Sequence, residues 1–270
     1  MSAEAVLARF GVTGPPLGEG AEAWVHALDD ARVLRVAKDP SPGGWAGRGM
    51  LLADLAPGAA AAGVPIPEVM ETGEVGGWPF AVERRIPGTD MGRALRLTPD
   101  RGALIAAYMK MAHRLGDVAT GADYRELGIA PPLVAATGPG LLEALARRSL
   151  GWAGRSVAPV VPEWLDGPPA LVHLDYFPGN VMVEGTRITG VIDLGFGTIL
   201  ADRRLTPAVA ALSLRFRSDA TTAELAQAEA LSGLDAGQLD DVRRWLAAFW
   251  SFAIADDAEL ARWAAPVLER

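Results

Sequence analysis

Four residues able to do chemistry crowd into one short stretch, Leu171 to Gly195 (LVHLDYFPGNVMVEGTRITGVIDLG): His173, Asp175, Asn180 and Asp193. Between Asn180 and Asp193 lie two strand-like runs, Val181 to Val183 and Ile188 to Ile192, flanking Gly185. A hairpin there brings its outer ends together, so Asn180 and Asp193 meet, with His173 and Asp175 one loop upstream. Two carboxylates and an amide oxygen at one point make the oxygen-rich setting that Mg²⁺ with a phosphate substrate requires. The competing reading has Asp175 and Asn180 capping turns around Pro178-Gly179. It gives no reason for three oxygen ligands to flank one hairpin. A third reading, with His173 and Asp175 as ligands of a hydrolytic transition metal, lacks a second histidine nearby, since the others are His26 and His113.

Those side chains need elements to hold them, and the chain divides into a β-rich first third and a helical remainder with short strands in its middle. LGEGAEAWVHAL and ARVLRVAK read as strands around Asp29-Asp30. DPSPGGWAGRG is loop-like and leads into a short helix, MLLADLA, expected to end near Pro57-Gly58. VPIPEVMETGEVGGWPFAVERRIPG reads as two strands around a Gly-Gly turn, closed at Pro87-Gly88, the candidate hinge between two lobes. From Thr98 to Val118 a helix is expected with Thr98 as its cap and Leu104, Tyr108, Met111 and Leu115 on one face. A second helix follows near Leu141 to Leu150. Strands return at ALVHLD, NVMVEG and RITGVIDLG, and helices run from about Pro207 to the end.

His173-Leu174-Asp175, Asn180 five positions after the Asp, and Asp193-Leu194-Gly195 thirteen after the Asn together resemble the catalytic loop and metal-binding Asp-x-Gly of the protein-kinase-like fold. The Pro-Gly before the Asn and the Ile-Asp-x-Gly form resemble the aminoglycoside phosphotransferase and choline kinase branch. The resemblance implies an α+β, bilobal protein-kinase-like fold, with a small β-rich N-lobe over residues 1–87 for nucleotide and a larger, mainly helical C-lobe over 88–270 for catalysis and acceptor. It implies ATP and Mg²⁺, with Asp175 taking the proton of the attacking hydroxyl, Asn180 and Asp193 holding the metal, and His173 bracing the loop. Gly18 and Gly20 resemble the short loop that covers the phosphates. PFAVERRIPG resembles the strand and hinge at which adenine docks, with backbone groups from Glu83 to Arg85 as hydrogen-bond partners and Met182 and Ile192 as apolar floor.

The sequence also departs from that pattern. Arg35 stands where the phosphate-binding lysine usually does, with Lys38 as the alternative three residues on. The glutamate that pairs with it from the next helix would fall near Gly49, and no acid lies between Asp39 and Asp54. A nucleotide-binding module without turnover is therefore the second hypothesis. After Ile-Asp-x-Gly, Asp202 is kept, but Thr206 takes the place of a later acid. The branch draws its acceptor cleft from the C-terminal helices, where Asp256, Asp257 and Glu259, with Asp240 and Asp241, accompany Trp245, Trp250, Phe252 and Trp263. Carboxylates and aromatic faces suit a cationic small molecule, foremost an aminoglycoside; a macrolide, choline-like or sugar alcohol is the alternative.

Composition sets the outer bounds. A chain of 270 residues buries roughly 73% of its extended surface, enough for a core without staples. With no cysteine, disulfides, thiolate zinc sites and cysteine chemistry are excluded. A net charge of −8 argues against a nucleic-acid or anionic-membrane surface. The first residues lack the basic start and apolar run of a signal peptide, and the uncharged stretch from Leu127 to Leu142 is broken by three prolines. The expectation is a soluble cytoplasmic protein; nothing in the sequence specifies an oligomeric state. Of the two lysines, Lys38 and Lys110, the second falls in the long helix of the C-lobe, which leaves Lys38 alone near the nucleotide.

Overall fold

Alternation of apolar and polar residues in the first third builds a five-stranded antiparallel sheet. The computed structural model describes residues 3–20, 23–39, 45–120, 123–127, 132–216, 218–254 and 257–268. Helix α1 (Ala3–Arg9) precedes β1 (Gly18–Glu19), β2 (Ala23–Ala27) and β3 (Arg32–Ala37); then come α2 (Trp45–Ala62), β4 (Val69–Val75) and β5 (Trp78–Arg84). The sheet order is β1-β2-β3-β5-β4. Leu34 and Val36 of β3 join Phe80 and Val82 of β5 on one face, where Val6 of α1 completes a small core. The two-residue period puts Val33, Arg35, Ala81 and Glu83 on the other face, with Arg35 opposite Ala81 and Val33 opposite Glu83.

The helix expected to stop at Pro57 instead runs from Trp45 through Ala62, with Pro57 inside it. An interior proline loses one hydrogen bond and strains the preceding turn. Here Leu51, Leu55 and Ala59 bury one stripe of α2 in the large core of the following residues, and that packing overrides the local signal.

The remainder contributes β6 (Thr89–Asp90), α3 (Met91–Leu97), α4 (Arg101–Leu115), β7 (Arg125–Glu126), α5 (Gly140–Trp152), β8 (Pro169–His173), β9 (Val181–Glu184), β10 (Arg187–Val191), β11 (Thr198–Asp202), α6 (Leu205–Ser213), α7 (Thr222–Leu231), α8 (Ala236–Phe249) and α9 (Ala258–Leu268). Thr98 closes α3 rather than opening α4: its hydroxyl oxygen accepts from Asp100 N, and α4 starts at Arg101. Helix α3 has its own cap, Asp90, which accepts from Arg93 N at 2.8 Å. Two three-stranded sheets, β10-β9-β6 and β7-β11-β8, carry the segments of interest. The helices α3 to α9 pack with these strands into one large apolar core. Among the described residues no helix is long and apolar enough to cross a membrane.

Pro87-Gly88 joins the two parts under tight constraint. Gly88 has φ +101°, and a Cβ there would lie 2.2 Å from Val183 O. Only glycine allows that approach. Thr189 Oγ1 donates to Pro87 O at 2.6 Å, which ties the connection to the β9–β10 hairpin.

Candidate active site

The catalytic-type loop between β8 and β9 is held before any ligand arrives. His173 is fully buried at the end of β8. Its Nε2 lies 3.2 Å from Ile192 O, so the neutral ring carries its proton on Nε2, and burial pushes its pKa down to about 4. His173 N donates to Thr206 Oγ1 at 3.2 Å, so a hydroxyl does the bracing at the position where an acid was looked for. Tyr176 O accepts from the Tyr108 and Ser213 hydroxyls at 3.0 and 2.8 Å, and Tyr176 returns a bond to Tyr108 O at 2.9 Å. The two phenol rings stack, and burial raises both phenol pKa values.

Within this frame Asn180 Nδ2 donates to Asp175 O at 2.9 Å and to Asp175 Oδ2 at 3.1 Å. The bonds fix which way the amide points and leave Oδ1 as its ligating atom. Ile192 N donates to Asn180 O at 2.9 Å, which brings the start of β9 against the segment that leads into Asp193. Asp193 has φ +63°, the only positive φ at a non-glycine among the described residues. Such a strained conformation persists where the surroundings hold it. Arg35 Nη2 donates to Asp193 Oδ1 at 2.9 Å, and Arg48 Nη1 stands 3.7 Å from the same atom. Burial alone would push this carboxyl up; the two guanidiniums outweigh it and hold the pKa below the usual carboxylate range.

The sheet side of the cleft is ionic. Buried Glu83 lies 3.2 Å from Arg48 Nε and 3.8 Å from Arg35 Nε. The structure thus brings Arg35, not Lys38, to Asp193. Lys38 pairs with Glu19 at 2.6 Å and lies 5.6 Å over the Trp24 ring. Gly18 and Gly20 form the β1–β2 hairpin, where Gly20 N donates to Ala23 O at 2.9 Å. Met182 and Ile192 are half-buried on the hairpin face opposite Val181, Val183 and Val191.

Some groups at two of the expected sites already have partners. Arg84 N and Arg85 N donate to Glu68 O and Ala31 O at 2.8 and 2.7 Å, so of the backbone groups expected at the base these two amides are taken. The Glu83 side chain is likewise committed to the two arginines. Of the expected acceptor acids, Asp257 uses Oδ1 to cap α9 by accepting from Glu259 N and Leu260 N, both at 3.0 Å. Glu259 is exposed, and Asp256 lies outside the described residues. Asp240 pairs with Arg243 and Arg244, and Asp241 accepts from Trp164 Nε1. Trp245 and Trp250 are core residues.

The aromatic surface beside the loop takes Phe252 from the C-terminal set and two other rings from elsewhere. Gly197 O accepts from Leu174 N at 2.8 Å, which seats the preceding Phe196 beside the catalytic-type loop. Phe196 is 6.1 Å from Trp152 and 5.5 Å from Phe252 between ring centroids, and Trp152 is 55% exposed. Arg148 lies over both Trp152 and Phe196 and pairs with buried Glu126 at 2.9 Å. Phe252 is among the aromatics the C-terminal segment offers the acceptor, whereas no spacing rule marks Trp152 and Phe196, which join it from two distant segments.

The donor set fits Mg²⁺, which takes one or two protein oxygens and completes its shell with water and phosphate. His173, fully buried with Nε2 on Ile192 O, is already committed within the protein, which is how a bracing residue rather than a metal ligand is placed.

A sequence model described as the phosphotransferase enzyme family matches residues 13–199, which span the first sheet, the catalytic-type loop and Asp193. The chain belongs to the phosphotransferase enzyme family. Solved structures with the same fold include a GDP complex of aminoglycoside 2'-phosphotransferase-IIIa, 17% identical, with TM-score 0.61 over 98% of this chain and 95% of that one. The aminoglycoside phosphotransferase APH(3'')-Id of Streptomyces rimosus, in complex with ADP and streptomycin, is 17% identical, with TM-score 0.60 over 92% and 96%. A chain assigned as a fructosamine-3-kinase from Haemophilus somnus is 11% identical, with TM-score 0.58 over 98% and 96%. No curated protein matches by sequence. The fold of this phosphotransferase is therefore α+β and kinase-like.

Proposed function

We propose that this phosphotransferase is a cytoplasmic enzyme that moves the γ-phosphate of ATP to a hydroxyl of a small molecule, with an aminoglycoside as the first acceptor to test. The observation that carries the reading is the bond from Asn180 Nδ2 to Asp175, beside Asp193, at the head of one hairpin. Asp175 takes the hydroxyl proton as the acceptor oxygen bonds to phosphorus and the bond to the β,γ-bridging oxygen breaks, releasing ADP. Asn180 Oδ1 and the Asp193 carboxylate would hold Mg²⁺, which when bound would neutralise charge on the phosphate oxygens. Arg35 turns from Asp193 to the phosphates, the Gly18–Gly20 hairpin covers them, and Met182 and Ile192 lie beneath the base. Residues 1–87 serve the nucleotide and 88–270 the chemistry and acceptor, with α2 rooted in the larger core.

The aromatic surface of Trp152, Phe196 and Phe252 suits the apolar face of a sugar ring, and the net charge of −8 attracts a cationic one. Neighbours solved with kanamycin and streptomycin support the aminoglycoside, and the fructosamine-3-kinase neighbour supports another amino sugar. ADP release measured with ATP, Mg²⁺ and a panel of aminoglycosides, neutral sugars, choline and macrolides decides among them. Turnover with an aminoglycoside is expected. Activity confined to neutral sugars overturns the aminoglycoside, and ATP binding without turnover on any acceptor favours the binding-module hypothesis.

A further inference from the structure

We infer that Arg48 is the positioning residue that presents Asp193 to the metal, and that Glu83 on β5 supplies the negative charge missing from α2. The inference rests on reading Asp193 as a metal ligand. Arg48 sits in the first turn of α2, a place where the helix dipole disfavours a cation. It is also 6% exposed, and burying a charge is costly unless it is well paired. Its partners account for its presence there. Nε donates to Glu83 Oε1 at 3.2 Å, while Nη1 donates to Leu194 O at 2.8 Å and stands 3.7 Å from Asp193 Oδ1. Nη1 thus bonds the main chain after Asp193 within ion-pair distance of the Asp193 carboxylate while Nε holds Glu83, a spread across one planar guanidinium that the point charge of lysine cannot reproduce.

The room for this grip is made by Gly195. A Cβ there would lie 3.3 Å from Arg48 Nη1, tighter than ordinary contact. The glycine of Asp-Leu-Gly thus lets the arginine close on a loop whose Asp193 is held at φ +63°. The two arginines divide the work. Arg35 bonds the Asp193 carboxylate at 2.9 Å and stands 3.8 Å from Glu83, both by side chain alone, and can exchange Asp193 for phosphate. Arg48 is bonded to a main-chain carbonyl and stands on a helix anchored in the large core by Leu51, Leu55 and Ala59, so it stays when nucleotide enters.

The test is the affinity for ATP with Mg²⁺ and with EDTA, read by titration calorimetry in wild type, Arg48→Gln, Arg48→Lys and Asp193→Asn. Wild type gains affinity with Mg²⁺. Arg48→Gln is expected to keep the Mg²⁺-free affinity within about twofold and to lose about 10-fold or more of the Mg²⁺-dependent gain, as when a partner of a metal ligand is removed. Arg48→Lys recovers part of it, and carries the test if Arg48→Gln does not fold. A gain equal to wild type in the variant, or equal losses with and without Mg²⁺, overturns the inference and leaves Arg48 a structural ion-pair residue. No Mg²⁺-dependent gain in wild type overturns instead the metal role of Asp193, and the inference with it.

Discussion

The two walls of the cleft are built by different physics. The catalytic-loop wall is neutral: Tyr108, Tyr176, Ser213, Thr206 and His173 fix Asp175 and Asn180 through buried hydrogen bonds among uncharged groups. The sheet wall is ionic, with Arg35, Arg48, Glu83 and Asp193 in mutual contact. A neutral network can be complete in the empty enzyme because nothing in it must move. In the proposed function the ionic one holds Asp193 and Arg35 against each other until substrate separates them. Asp175 is thus preorganised, while the charges are stored.

If the neutral wall only serves the chemistry of Asp175, then Asp175→Asn should cut turnover by about 10²–10⁴-fold with ATP affinity retained. Steady-state kinetics beside calorimetry checks this, and an equal loss of both would place Asp175 in binding instead. The contrast in stability comes next. Glu83→Gln leaves the buried Arg48 uncompensated and should cost about 3–5 kcal/mol in denaturant unfolding. Tyr108→Phe, which removes one neutral bond to Tyr176 O, should cost about 1–3 kcal/mol. Similar costs for the two would erase the distinction between the walls.

A smaller effect separates them by pH. His173 is held neutral with a folded pKa of about 4. Between about pH 6.5 and 4 the unfolded chain takes up a proton that the folded chain refuses, so this group lowers stability as pH falls, by at most about 1.4 kcal/mol per pH unit. Unfolding midpoints across that window should fall more steeply in wild type than in His173→Gln. Parallel curves would mean that the ring is solvated or charged in the folded protein.

The same division explains what could be read from residues alone. The neutral wall hangs on one contiguous segment whose spacing, Asp175 to Asn180 to Asp193, survives as a motif, so the hairpin and its loop were legible. Tyr108 was visible only as an apolar position on a helix, since no periodicity reports that a phenol will bond a carbonyl 68 residues away. The ionic wall is assembled from β3, α2, β5 and the Asp-Leu-Gly loop. No acid stands near Gly49; Arg48 occupies the neighbouring helix position, and the acid that faces it and Arg35 is Glu83 on β5. The extent of α2 past Pro57 was hidden too, as tertiary burial outweighed a local breaker. The aromatic surface proposed for the acceptor was hidden for the same reason: it is shared by α5, the loop after β10 and the turn after α8, and Asp257 meanwhile caps α9.

The most direct test is ³¹P NMR of ATP, Mg²⁺ and an aminoglycoside with wild type and with Asp175→Asn at matched nucleotide occupancy. A new phosphomonoester resonance that grows with ADP in wild type, and is absent from Asp175→Asn over the same time, is the predicted result. Equal phosphomonoester from both proteins would contradict the role of Asp175, and ADP formed with free phosphate but no phosphomonoester would contradict transfer to the acceptor hydroxyl.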